Sequence, residues 1–249
     1  MKTDAFTKLY RRGFLKSAGA AAATLALGGL PLAVRAASAT TGKMKIGVIG
    51  SGRVGGTVGG IWAKAGHEVM FSSLDLEADK KLAASLGPNA RAGTPREAAA
   101  FGEVLLISVP YRALPQVGRD LGDLIKGKVI IDTSNPIVAR DGEMAVAARE
   151  KGAGLVSAEL LPGARIVRAF NAIGYARMAE AARQSERIGM PIAGDDAKAL
   201  EVASALVREV GYEPVVVGTL VMGRYLIPGT PLGGEHTPAE IRQIVTTLK

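Results

Sequence analysis

The chain has 249 residues, contains no cysteine and carries a formal net charge of +8 at pH 7. The missing cysteines exclude disulfides, thiolate zinc sites and a cysteine nucleophile. Six basic side chains and a single acid, Asp4, fall within residues 1–36, so the remaining chain has a net charge of only +3. Because this remainder shows no basic stripe interleaved with aromatic residues, we expect no nucleic-acid partner.

The first 39 residues are predicted to be an export signal and a short linker. Adjacent Arg11 and Arg12 precede a mildly apolar segment, Ala18–Val34, and small residues follow it. This pattern is typical of a cleavable signal, and the paired arginines resemble a bacterial twin-arginine signal. The alternative is a membrane anchor, but the segment is short and weakly apolar for a span. We therefore expect cleavage after Ala36 or Ala39, no membrane span afterwards, and a periplasmic or otherwise exported protein.

Strand-like and helix-like segments alternate along the rest of the chain. The predicted strands are Met44–Ile49, Glu68–Ser72, Asn89–Ala92, Val104–Val109, Val129–Asp132, Ile166–Phe170, Met190–Ala193 and Pro214–Val217. The predicted helices are Arg53–Ala65, Leu76–Leu86, a segment capped by Thr94, Ala172–Ala182, Ala197–Val210 and Pro238–Leu248, and Arg140–Gly163 is predicted to mix a helix with a mobile loop. The alternation predicts an α/β fold with a doubly wound, mostly parallel Rossmann-like sheet over residues 44–227, followed by a C-terminal tail with a helix over 228–249.

A glycine-rich turn follows the first apolar run. Ile46–Ile49 leads into Gly50-x-Gly52-x-x-Gly55, and a helix-like segment comes next. In a dinucleotide-binding turn of this kind, the first glycine allows a tight turn, the second lets the backbone approach the pyrophosphate, and the third lets the helix pack closely on the strand. The phosphates lie on free N–H groups at the positive end of the helix. These flanks favour a dinucleotide site over a turn without a ligand.

Polar residues beside this turn bear on which dinucleotide binds. Arg53 is predicted either to place a positive charge near a phosphate or to be a solvated surface residue. Ser72 and Ser73 end the second strand, where an NAD site usually has the carboxylate that binds the ribose hydroxyls. Two hydroxyls there favour NADP over NAD, although the serines could instead cap the next helix, and the nearby Asp75 weakens the case for NADP.

Three later turns follow apolar strands and are expected at the same edge of the sheet. The turns at 108–111 and 132–136 are predicted to border the nicotinamide ribose and ring, and the turn at 170–171 to face the substrate. The candidate residues are Ser108, Val109, Pro110, Tyr111, Asn135 and Pro136 for the cofactor, and Phe170 and Asn171 for the substrate. The alternatives are plain strand-ending turns, which proline and asparagine favour anyway, and core packing of Phe170.

Together these stretches resemble the family of NADP oxidoreductases that depend on the deazaflavin coenzyme F420. The resemblance covers most of residues 44–227 and is carried by G-S-G-R-V-G, G-H-E-V followed by S-S, the V-P-Y and N-P turns, R-A-F-N-A-I and P-I-A-G-D-D. It implies pyrophosphate binding by Ser51 to Val54, contact of Ser73 with the 2′-phosphate, and a nicotinamide beside Val109, Pro110 and Tyr111. The chain departs from the family in its export signal and in Leu74, where the family commonly has an arginine that binds the 2′-phosphate.

The function predicted from these features is hydride transfer between NADP(H) and a deazaflavin, flavin or other small acceptor, with NAD as a second cofactor candidate. Direct hydride transfer needs no catalytic side chain, and we predict none, nor any metal site; His67 and His236 are interpreted as structural. Two alternatives stay open. The first is a non-catalytic dinucleotide sensor or docking module, and the second is a dehydrogenase of a small alcohol or acid, for which Tyr111 is the one well-placed tyrosine. A homodimer formed through Tyr225–Lys249 is a further expectation.

Overall fold

An eight-stranded sheet is the centre of the computed structural model, which describes residues 42–181 and 187–248. Its strands are β1 (Lys45–Ile49), β2 (Glu68–Ser72), β3 (Ala90–Ala92), β4 (Val104–Ile107), β5 (Val129–Asp132), β6 (Arg165–Arg168), β7 (Gly189–Gly194) and β8 (Glu213–Gly218). They lie in the order β3-β2-β1-β4-β5-β6-β7-β8, and neighbours are parallel except for antiparallel β6 and β7. The predicted α/β class with a mostly parallel, doubly wound sheet is confirmed. The predicted export signal lies outside the described residues.

Helices pack on both faces of this sheet. The described residues form α1 (Arg53–Lys64), α2 (Leu76–Leu86), α3 (Pro95–Phe101), α4 (Leu114–Ile125), α5 (Val138–Asp141), α6 (Glu143–Lys151), α7 (Ala153–Leu160), α8 (Tyr175–Ala181), α9 (Ala197–Val210) and α10 (Pro238–Thr247). Short 3-10 turns occur at Tyr111–Ala113 and Leu220–Tyr225. None of the helices in this part of the chain is long and apolar enough to cross a membrane.

The core consists of apolar strands covered on both faces. All four residues of β4 are buried, as are all four of β5, which is the pattern expected of a parallel sheet between two helical layers. One apolar cluster contains Trp62 of α1, whose indole N–H donates to the carbonyl of Leu206 in α9 at 2.9 Å. A second cluster contains Leu114 and Leu121 of α4. These two clusters hold α1 and α4 in place on the sheet.

A reversal of strand order between β1 and β4 positions the site. From β1 the chain builds β2 and β3 on one side, and then crosses to β4 on the other. Ile49 pairs in register with Ser72 and Ile107, and Ile107 pairs with Asp132. The turns that follow these four strands therefore meet at one edge of the sheet. Open α/β sheets bind their ligands at such a reversal, outside the carboxyl ends of the strands.

Helices in the middle of the chain differ from the sequence prediction. No helix was expected at α4, because Pro115, Gly118 and Gly122 lower its apparent helix propensity. Gly118 is a packing residue, since a Cβ there would lie 1.9 Å from the carbonyl oxygen of Leu160 in α7. The helix-and-loop expectation for 140–163 was wrong as well, because α5, α6 and α7 follow one another there with hardly a residue between them. Gly142 (φ +60°) and Gly152 (φ +109°) break this stretch into short helices.

The last helix packs against its own sheet. Thr237 accepts a hydrogen bond from the backbone N–H of Glu240, whose side chain accepts in return from the N–H of Thr237, so α10 begins with a capping box. Ile241 is fully buried in an apolar cluster with Val215 and Val217 of β8. The tail predicted from the sequence is thus a helix docked on β7 and β8.

Candidate nucleotide-binding site

The glycine turn after β1 is held by backbone hydrogen bonds to β2. The N–H groups of Gly50 and Ser51 both donate to the carbonyl of Ser72, at 2.8 and 3.0 Å. Gly50 has φ +98°, and a Cβ there would lie 2.3 Å from the carbonyl oxygen of Ser108. Only glycine combines that backbone conformation with so close an approach to the turn after β4.

The other two glycines of the motif serve opposite purposes. A Cβ on Gly55 would lie 2.0 Å from the carbonyl oxygen of Gly50, so Gly55 lets α1 pack directly on the turn. A Cβ on Gly52 would have no described protein atom within 4 Å, and Gly52 has φ −66°, which any residue can adopt. Nothing in the fold of the described residues therefore requires glycine at position 52. The open space beside it fits a pyrophosphate that approaches the backbone.

The start of α1 presents free amide groups to this space. The first hydrogen bond of the helix runs from the N–H of Gly56 to the carbonyl of Gly52 at 2.7 Å, so the N–H groups of the preceding turn have no partner within the helix. Among the described residues, no side chain caps this end and no acid lies in the first turn. Free N–H groups and the positive end of the helix dipole together form an anion site.

Arg53 lies at this positive end, and its side chain is exposed but not free. Its guanidinium stacks over the ring of Tyr175, 5.3 Å from the ring centroid, a geometry that gives a favourable cation–π contact. Tyr175 begins α8, which packs against α1. The stack keeps a positive charge beside the anion site, and Tyr175 itself is 40% exposed.

A groove of about 570 Å³ opens between the glycine turn, the turn after β4 and α4. Six of the predicted cofactor-binding residues line it: Gly50, Gly52, Ser73, Ser108, Val109 and Pro110. The remaining lining residues, which sequence reasoning did not propose, are Ile49, Leu74, Asp75, Pro95, Arg112, Ala113, Gln116, Val117, Asp120 and Leu121. The lining residues on α4 were not predicted because the helix itself was not predicted.

The two serines after β2 have different surroundings. Ser72 is fully buried and its hydroxyl donates to the carbonyl of Val48 at 2.7 Å. Ser72 therefore shapes the turn, and the expectation that its hydroxyl reaches a 2′-phosphate was wrong. Ser73 lines the groove, but its hydroxyl lies 2.9 and 3.0 Å from the two carboxylate oxygens of Asp79. Asp79, 2% exposed in the first turn of α2, also accepts a hydrogen bond from the hydroxyl of Ser51.

Tyr111 is not at the surface of the groove, contrary to the prediction. It is fully buried, and its hydroxyl donates to the carbonyl of Ala153 at 2.7 Å. Burial raises the pKa of Tyr111 to about 12, an effect that the neighbouring hydroxyl of Ser157 partly opposes. Because the phenol is buried and donates its proton to a backbone carbonyl, it does not reach a substrate in the groove, so the alcohol or acid dehydrogenase alternative loses its one candidate donor.

We expect Tyr111→Phe to lower the free energy of unfolding by about 1 kcal/mol, the usual net value of one hydrogen bond, and to leave nucleotide affinity unchanged. Since the folded state favours the neutral phenol, the stability contribution of Tyr111 is full below pH 10 and is lost as the pH rises through its pKa of about 12. Urea unfolding of both proteins between pH 8 and 12 measures this, and Tyr111→Phe should show the shallower decline. A variant that folds normally but no longer binds NADPH would contradict this interpretation.

Asn135 and Pro136 belong to a polar network at the ends of β5 and β6. Arg168, fully buried, pairs with buried Asp132 at 2.7 Å and donates to the carbonyl of Ser134 and to Oδ1 of Asn135 at 3.1 and 3.3 Å. The amide of Asn135 donates to the carbonyl of Asn171 at 2.8 Å. The network therefore fixes the turn after β5, while neither Asn135 nor Pro136 lines the groove itself.

Phe170 and Asn171 are also core residues. Phe170 is 2% exposed and makes edge-to-face contacts with Trp62 and Tyr212, at centroid distances of 6.1 and 6.5 Å. The expectation that these residues face the substrate was wrong, because Phe170 adopts φ +62° and its ring packs inward. Such a backbone conformation is costly for a bulky side chain. The helix α8 begins at Tyr175, later than the predicted start at Ala172.

The histidines lie away from the groove. His67 is fully buried, accepts the N–H of Met44 on Nδ1 at 3.1 Å, and contacts Glu209 of α9 through Nε2 at 2.5 Å. His236 forms a backbone bridge with Gly189 at the start of β7. Within residues 42–181 and 187–248, no group of three or more histidine, aspartate or glutamate side chains is arranged to hold a metal ion.

Comparisons with known proteins relate this chain to NADP oxidoreductases. The model of the family described as NADP oxidoreductase, coenzyme F420-dependent, matches residues 45–136, which include β1, the glycine turn and β4. An F420-dependent NADP reductase from Methanothermobacter thermautotrophicus is 30% identical over 206 residues, covering 76% of this chain and 87% of the relative. Metalloreductase STEAP3 of Rattus norvegicus is 28% identical over 180 residues, covering 72% of this chain and 35% of that protein.

A solved structure shares the fold over most of its length. A hypothetical protein from Sinorhizobium meliloti superposes with a TM-score of 0.68 and 22% identity, covering 79% of this chain and 96% of that one. At this identity the likeness concerns the fold alone.

Proposed function

The chain belongs to the family of coenzyme F420-dependent NADP oxidoreductases, and from that membership we propose that it transfers a hydride between NADP(H) and a deazaflavin, flavin or other small acceptor. The observation that carries the proposal is the uncapped, positive start of α1, which opens beside Gly52 onto a groove at the reversal of strand order. That combination fits a dinucleotide, and the family supplies the redox chemistry.

The residues of the groove divide into parts that match those of a dinucleotide. The N–H groups that follow Gly52 would hold the pyrophosphate, with the guanidinium of Arg53 beside it. Ser73 and Leu74 border the end at which the adenosine ribose would lie. The backbone from Ser108 to Pro110 would border the nicotinamide end. The cofactor, when bound, supplies the hydride, and the protein aligns the two rings and excludes water.

No acid–base side chain is needed for this transfer. Family membership favours an enzyme over the sensor or docking alternative.

Fluorescence titration of the mature protein with NADPH, followed by an acceptor screen, tests the proposal. The acceptors are coenzyme F420, FMN, FAD and a chelated metal ion, the last because one relative is named a metalloreductase. We expect NADPH to bind and at least one acceptor to be reduced with matching loss of NADPH absorbance. Absence of NADPH binding would overturn the dinucleotide site, and binding without turnover on any acceptor would favour the sensor alternative.

We also propose that the protein is exported by the twin-arginine route and works in the periplasm. The support is the sequence pattern around Arg11 and Arg12, and the fact that this route carries folded proteins, which would allow the cofactor to be loaded before export. Cell fractionation compares the native chain with the double variant Arg11→Lys/Arg12→Lys. The native mature protein should appear in the periplasm and the variant should stay inside the cytoplasm; equal distribution would contradict the proposal.

Light scattering of the same mature protein tests the proposed homodimer.

A further inference from the structure

We propose that Asp79 is a specificity-determining residue that limits the preference of this site for NADPH over NADH. The inference rests on the proposed function, since it concerns the same groove. Its basis is the hydrogen bonding of Ser73, the hydroxyl that lines the groove beside the turn after β2.

The hydroxyl of Ser73 has its single proton directed to Asp79. A serine hydroxyl has one proton to donate and two lone pairs that accept, whereas a carboxylate only accepts. Both carboxylate oxygens of Asp79 lie within 3.0 Å of this hydroxyl, and the N–H of Asp75 donates to it at 3.1 Å. What Ser73 can still offer a ligand is therefore one lone pair.

A lone pair suits one of the two cofactors better than the other. The ribose 2′-hydroxyl of NADH can donate a hydrogen bond to it. The 2′-phosphate of NADPH, mostly a dianion, presents only acceptor oxygens and needs a donor. Asp79 thus turns Ser73 away from the donor role that a 2′-phosphate requires.

The charge of Asp79 acts in the same direction. It lies in the first turn of α2, where the helix dipole stabilises an anion, and within the described residues it forms no ion pair. Among the residues that line the groove, Arg112 is the one cation, and it belongs to the 3-10 turn after β4. At the β2 end the groove presents Ser73, fully exposed Leu74 and the carboxylate of Asp75. A 2′-phosphate there has no cation from the groove lining on the β2 side.

The variant Asp79→Asn tests this inference. An asparagine amide donates to Ser73, which frees the serine proton, and it removes one negative charge. We expect NADPH affinity to rise on the order of tenfold, near the lower end of what one hydrogen bond from the Ser73 hydroxyl to a charged phosphate contributes, while NADH affinity changes by less than about twofold. Titration of the native protein and the variant with NADPH and with NADH gives the ratio of the two affinities for each protein.

Two further variants separate the mechanism from a general charge effect. Asp75→Asn removes an exposed charge from the same loop and keeps the helix cap, so it should change the ratio less than Asp79→Asn does. Adding Ser73→Ala to Asp79→Asn should remove most of the gain, because the freed proton is gone. Equal effects of the two aspartate variants, or a gain that survives the loss of Ser73, would overturn the role of Ser73.

The outcomes also separate this inference from the proposed function. If the native protein binds neither nucleotide, the dinucleotide site itself fails. If it binds NADPH and Asp79→Asn leaves the NADPH-to-NADH ratio unchanged, only the role of Asp79 fails. Should Asp79→Asn not fold, Ser73→Ala alone decides. It should leave NADPH affinity within about twofold, since Ser73 has no proton to give a 2′-phosphate, and a tenfold loss would contradict the proposal.

Discussion

Gly52→Ala should fold as the native protein does and lose roughly 100-fold in NADPH affinity, the equivalent of about 2.7 kcal/mol. A methyl group at this position meets no described protein atom within 4 Å, so it fills space that belongs to the ligand. It would hold the pyrophosphate away from the amide groups at the start of α1, where each hydrogen bond to a charged group contributes about 1.5–3 kcal/mol. Because φ is −66° there, the backbone need not change.

Gly55→Ala is the matched variant with the opposite expectation. Its methyl group would lie 2.0 Å from the carbonyl oxygen of Gly50 and push α1 from the sheet. Overpacking of this kind costs about 1–3 kcal/mol of stability, and binding falls as a consequence of the displaced helix. Gly122→Ala is the control, because a Cβ there has open space on α4, and we expect it to gain about 0.5–1 kcal/mol with unchanged affinity.

Thermal unfolding measures the stability of these three variants, and titration measures their affinity for NADPH. The separation of stability from affinity in Gly52→Ala is the result that identifies a ligand-binding glycine. If Gly52→Ala binds NADPH as well as the native protein does, the pyrophosphate does not lie at the start of α1.

The glycine turn could be predicted because its requirements are local. The strand, the turn and the helix are consecutive in the chain. The spacing of Gly50, Gly52 and Gly55 indicates where the backbone must come close to a neighbouring strand, helix or ligand. The same holds for Thr94, which was predicted to cap a helix and accepts a hydrogen bond from the backbone N–H three residues later. The parallel sheet also followed from the alternation of elements.

The role of a strand-end side chain could not be predicted in the same way, because it depends on the element that packs against it. Tyr111 stands next to Pro110 in a groove-lining turn, yet α7 supplies the carbonyl that draws its hydroxyl into the core. Phe170 follows a buried strand, and its positive φ directs the ring to Trp62. Asp79 was missed because its two serine partners come from different turns, Ser51 after β1 and Ser73 after β2.

The buried pair of Arg168 and Asp132 gives the second large expected effect. Arg168→Met should lower the free energy of unfolding by about 3–5 kcal/mol, because the carboxylate of Asp132 is then left buried without its partner. Both side chains are fully buried, and Nη1 of Arg168 lies 2.7 Å from Oδ2 of Asp132. Urea unfolding of the two proteins measures it.

A control variant and a double variant complete the cycle. The control variant is Arg165→Met. Arg165 lies on the same strand as Arg168, but its ion pair with Asp196 is long, at 3.8 Å, and both side chains are 38% exposed. Exposed pairs contribute about 0–1 kcal/mol, so this variant should lose little. The double variant Arg168→Met/Asp132→Asn should be more stable than the sum of the two single losses predicts, since no unpaired charge remains. Strict additivity would show that Arg168 acts by filling space between Gly154 and Gly223, where it packs closely. Coupling would show that the charge pair itself stabilises the ends of β5 and β6.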